Sequence, residues 1–136
     1  MKFHNFDGHD IDDNGLMQLL KSNGVNYVLL KVAVNPADEN GNTYGGGNPM
    51  LANALKTAQA AQANGLNVNI QFLYSDFHTS KIVQKLPKSC PITKGETKLA
   101  AKVADYTAQS LATLKAVGVL PVWCIACLAC AGFAGS

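Results

Sequence analysis

The sequence predicts an α/β fold in which parallel strands alternate with helices. Three observations predict it. Periodic segments follow one another in the order α-β-α-β-α-β, and Val25–Val34 is a nearly continuous apolar, β-branched run. The connections before strands are short and those after strands are long. Strands and helices alternating at this spacing pair in parallel through right-handed crossovers.

Ile11, Leu16, Met17, Leu19 and Leu20 recur at helical spacing, which predicts an amphipathic helix from Asp12 to Ser22 ended by Asn23-Gly24. Asp12 and Asp13 suit its N-terminus, where carboxylates oppose the helix dipole. Val25–Val34 then fits a strand covered on both faces, stopped by Asn35-Pro36. Pro36–Pro49 is a long loop of turn residues. Leu51–Asn64 is rich in Ala, Leu, Gln and Lys, all good helix formers, and Gly65 caps it. Leu66–Tyr74 alternates as a strand, and Ser75–Thr93 is a second long loop. Glu96–Val117 is a third helix ended by Gly118, and Val119–Ala129 is a last strand. Long loops after strands form the ligand face of α/β folds.

The 136 residues suit a single domain, with 1–10 as an N-terminal arm and 130–136 as a frayed tail. The composition is globular, but the charged fraction of 15% lies below the usual ~25%. Net charge is +2 and the 11 basic residues are scattered, so no nucleic-acid partner is expected. Met1–Asp7 contains no apolar stretch of the signal-peptide kind, and localisation stays open. From Ala116 to Ser136 no charged residue occurs. That run of 21 residues is long enough for the ~20 of a membrane helix, but Pro121, Gly118, Gly132 and Gly135 interrupt it and no basic anchor follows. A buried strand with a tail is expected there rather than a membrane span.

Gly24-Val25-Asn26-Tyr27-Val28, Asn35-Pro36-Ala37-Asp38 and Tyr44-Gly45-Gly46-Gly47-Asn48 resemble the second strand and following loop of family 53 glycoside hydrolases. Tyr74-Ser75-Asp76-Phe77 resembles the end of that family's third strand, with Gln84-Lys85 and Pro87-Lys88 in the next loop. Asp105-Tyr106-Thr107 and Leu114–Val119 resemble its next helix and turn, so the similarity runs from Phe3 to Trp123. The resemblance implies a partial (β/α)8 TIM barrel, roughly strands two to four. It also implies kinship with secreted endo-β-1,4-galactanases that cleave galactan with retention. That chemistry needs two carboxyls about 5–5.5 Å apart.

Several positions depart from the family pattern. The family's Gly-Asn-Glu, which carries the acid/base, aligns with Cys127-Leu128-Ala129, and a methyl group cannot donate a proton. The strand bearing the family nucleophile has no counterpart in these residues. Leu29 stands for Arg, Ala33 for Trp, Gln71 and Leu73 for an acidic residue and a His, and His78 for Trp. Lys31 replaces an Arg, keeping charge without the planar fork. No catalytic residue is assigned. Lys31, Asn35, Tyr74 and Asp76 are the candidate substrate-binding residues.

Cys124, Cys127 and Cys130 have C-x₂-C-x₂-C spacing, with Cys90 in a distant loop. On a strand the first two point to opposite faces, so small buried hydrophobes are expected and no metal. His4, His9 and His78 are expected on the surface, and Asp7 and Asp10 in turns. Gly45-Gly46-Gly47 lacks the Lys-Ser/Thr of a phosphate loop, so no nucleotide or other cofactor is expected. The expected function is a catalytically silent fragment or scaffold of galactanase type with weak galactan binding. It should self-associate through uncovered sheet edges. Two alternatives are an active hydrolase of β-1,4-galactan using another carboxylate and a protein tethered to a membrane through its apolar C-terminus.

Overall fold

The computed structural model describes residues 3–37, 40, 42, 49–76, 87–89, 96–119 and 123–127. In chain order its elements are β1 (Phe3–His4), β2 (Asp10–Ile11), α1 (Asp13–Ser22), β3 (Tyr27–Ala33), α2 (Leu51–Ala63), β4 (Asn67–Leu73), α3 (Glu96–Ala116) and β5 (Trp123–Cys127). β3, β4 and β5 form a parallel sheet in that order. The expected alternation of helix and parallel strand is therefore present among the described residues.

The same turn joins helix to strand three times. After α1, the amide of Gly24 donates to the Lys21 carbonyl and that of Val25 to Leu20. After α2, Gly65 and Leu66 do the same to Gln62 and Ala61, and after α3, Gly118 and Val119 to Lys115 and Leu114. This paired bonding satisfies carbonyls that a helix end leaves orphaned. It requires a left-handed residue, and Gly24 and Gly65 supply φ of 83° and 71°. Asn23 and Asn64 add side-chain amides that donate to Leu19 and Ala60 carbonyls at 2.8 Å.

At the other end of α1, the Asp12 carboxylate accepts the Gly15 amide at 2.7 Å. This is the expected N-terminal role, one residue outside the helix.

One face of the sheet carries the core, with Val28 and Leu30 of β3 partly buried against it. Val68, Ile70 and Phe72 of β4 and Val32 of β3 pack with Met17 of α1, Ala54, Ala58 and Ala61 of α2, and Leu114 of α3. The three buried alanines let α2 approach the strands closely. The other face departs from expectation. β3 is covered on one side only: Tyr27 and Leu29 are 51% and 50% exposed, and Lys31 is exposed beside them. They align in register with Asn67, Asn69 and Gln71 of β4. Higher on this face, Ala33 and Leu73 are buried, and the Ala33 amide donates to the Pro49 carbonyl.

Residues 3–11 form a hairpin that the sequence alone did not suggest. β1 and β2 pair antiparallel. The Asn5 side chain accepts the amides of Asp7 and His9 at 3.0 and 2.9 Å, stitching the loop between them. Asp10 lies on β2 and pairs with His4 at 2.9 Å rather than sitting in a turn, while Asp7 does lie in one. His4 and His9 are exposed as expected.

The middle of the uncharged run, Trp123–Cys127, is a strand paired with β4. No described helix is long and apolar enough to cross a membrane. His78, Cys90, Leu128, Ala129, Cys130, the glycine run 45–47 and the tail 130–136 lie outside the described residues.

Candidate functional site

The C-terminal ends of β3 and β4 hold all four candidate residues, but the sheet separates them. Lys31 stands on the uncovered face, opposite Gln71. Asn35 lies two residues past β3, exposed, with its carbonyl accepting the Ala37 amide at 2.9 Å.

Strand alternation turns Tyr74 to the opposite, helix-packed side. It is 5% exposed, and its hydroxyl shares a 2.8 Å hydrogen bond with Thr107 of α3. Tyr74 therefore belongs to an aromatic cluster with Phe72 and Tyr106, centroids 6.1–6.3 Å apart.

Asp76 is 2% exposed. Its Oδ2 accepts the Lys88 amide at 2.7 Å, which ties Lys88 to the segment that follows β4. Its Oδ1 is buried with no hydrogen-bond partner among the described residues. The carboxylate thus acts first as a structural clasp.

Tyr106, expected only as part of the third helix, fastens that helix to the end of β3. Its hydroxyl donates to the Ala33 carbonyl at 3.0 Å. Burial raises its pKa above the ordinary value; Ser110 hydrogen bonding opposes that shift and Tyr74 adds to it. The signal was available as a stripe of Val103, Tyr106, Ser110 and Leu114 at helical spacing.

Chemically, the uncovered face offers an aromatic ring, an ammonium and side-chain amides. Among the described residues of β3 and β4, no carboxylate lies on it. Asn69 adds a buried amide oxygen without a described partner. No group of three or more metal-ligating side chains occurs among the described residues.

The profile of Glycosyl hydrolase family 53 matches residues 2–125. The chain belongs to this family. An endo-β-1,4-galactanase of Bacillus subtilis is 40% identical over 117 residues, covering 86% of this chain and 26% of the relative. An arabinogalactan endo-β-1,4-galactanase of Thermothelomyces thermophilus is 35% identical over 106 residues, 78% of this chain and 29% of that protein.

Among solved structures, the family 53 catalytic domain of Ignisphaera aggregans superposes with a TM-score of 0.77 at 34% identity. It covers 88% of this chain and 32% of that domain. A structure of fungal β-1,4-galactanases gives a TM-score of 0.72 at 31% identity, covering 91% of this chain and 33% of that one. The chain thus spans between a quarter and a third of the length of these family 53 relatives. Its parallel sheet and flanking helices are a partial (β/α)8 barrel of a galactanase-like domain.

Proposed function

We propose that this chain is a galactanase-type scaffold that holds β-1,4-galactan weakly and does not cleave it. The observation that carries the reading is the make-up of the uncovered face. Tyr27, Lys31, Asn67 and Gln71 can stack on sugar rings and hydrogen-bond hydroxyls. None of them can serve as the acid or the nucleophile of a retaining glycosidase.

The described acidic side chains support the same conclusion. Asp76 is buried and holds Lys88, Asp105 sits on α3, and the others are in the hairpin and at the start of α1. Ala129, at the family acid/base position, carries no proton to give. An active hydrolase of β-1,4-galactan would have to recruit a carboxylate pair from outside this set.

Millimolar affinity corresponds to only about −4 kcal/mol, which a few such contacts supply. Electrophoresis through gels containing β-1,4-galactan tests the binding. Retardation that weakens in Lys31→Ala is expected, and migration unchanged by galactan rules the binding out.

The same face favours self-association. Tyr27 and Leu29 are half exposed on an edge strand, and such edges template pairing with a second chain.

A further inference from the structure

A cavity of about 280 Å³ lies on the helix side of the sheet, between the ends of β3 and β4 and the outer turns of α3. We propose that it is a second binding site, one that takes a single neutral sugar ring.

Size limits the ligand first. Small-molecule pockets run from roughly 300 to 1,000 Å³, so this one suits a lone pyranose and not an oligosaccharide.

Val34, Tyr74 and Tyr106 contribute to its lining. Both phenol hydroxyls are already engaged, with Thr107 and with the Ala33 carbonyl. What the tyrosines offer the cavity is ring surface, against which the C–H face of a pyranose packs.

Lys102, Asp105 and Gln109 line the cavity from α3 at spacings of three and four residues. Such spacings place them on one stripe. Lys102 donates to the Ser89 carbonyl at 3.4 Å and closes that edge. Among the described residues no hydrogen bond engages the side chains of Asp105 or Gln109, so both can meet ligand hydroxyls. Lys102 and Asp105 cancel in charge, which favours a neutral ligand over an anion or a cation. A purely apolar ligand would desolvate the carboxylate and amide without replacing their hydrogen bonds.

This inference rests on the galactan reading only for the choice of probe. The test titrates methyl β-D-galactoside into the isotopically labelled full chain and follows backbone amide shifts. Shifts at Val34, Tyr74 and Lys102–Gln109 are expected, and Asp105→Ala and Gln109→Ala should each weaken binding about fivefold or more.

Shifts confined to Lys31, Leu29 and Gln71 would overturn the cavity while sparing the galactan reading. Shifts at the cavity without retardation by galactan would do the reverse. Tighter binding of D-galacturonate, the same ring with a carboxylate, would overturn the neutral assignment. The absence of any shift at ~0.1 M sugar would overturn the site altogether.

Discussion

At the residue scale, Tyr106 couples packing to chemistry. Its hydroxyl donates to the Ala33 carbonyl, and its ring packs edge-on to Phe72 and Tyr74. Phenylalanine keeps the ring and loses the bond, so Tyr106→Phe should cost about 0.5–1.5 kcal/mol at neutral pH, read from urea denaturation.

The pH dependence has a definite sign. The folded-state pKa is raised, chiefly by burial, so the unfolded chain releases this proton first, near pH 10. The stability from Tyr106 is therefore whole below about pH 10 and lost as pH rises through the folded value. In Tyr106→Phe the alkaline decline should be shallower than in the parent chain. An equally steep decline would show that Tyr106 is not its source.

At the element scale, the helix-to-strand turns were the most legible part of the sequence. Asn23-Gly24, Asn64-Gly65 and Val117-Gly118 announce a left-handed helix end, and each delivers the paired bonding that reverses the chain. β4 was legible for a similar reason. Asn67, Asn69 and Gln71 alternate with Val68, Ile70 and Phe72, and the latter three are the buried ones.

The hairpin of β1 and β2 was not legible. Its strands are two residues each, too short for periodicity, and the Asn5 side chain holds the loop together. The one-sided cover of β3 was also hidden. A continuous apolar run reads as buried on both faces whether or not a neighbour lies over each.

Helix α2 yields its own prediction. Ala58 is fully buried between α2 and the strands, with Ala54 and Ala61 on the same stripe. Ala58→Leu should push the helix off the sheet at about 1–3 kcal/mol. A thermal melt matching the parent would mean that the helix stands farther from the sheet than these contacts indicate.

For the whole molecule, fold and site differed in legibility. The family and the barrel topology followed from segments that must pack and turn. Of the four candidate site residues, Lys31 and Asn35 are exposed, while Tyr74 and Asp76 are buried and engaged. Residue type alone gives no warning of this, because a tyrosine that stacks on sugar and one that braces a helix read identically. Only the count of alternating positions through β4 separates them.

The edge strand β3, with Tyr27 and Leu29 half exposed, is expected to drive association. Light scattering should show mass rising with concentration, and Leu29→Lys should reduce it. A monomer at all concentrations would contradict the proposed self-association.

The direct measurement of silence is chromatography of β-1,4-galactan after prolonged incubation with the purified chain. Galacto-oligosaccharides no greater than in a protein-free blank are expected, while release that grows with time and protein concentration would mean that this scaffold is a working hydrolase.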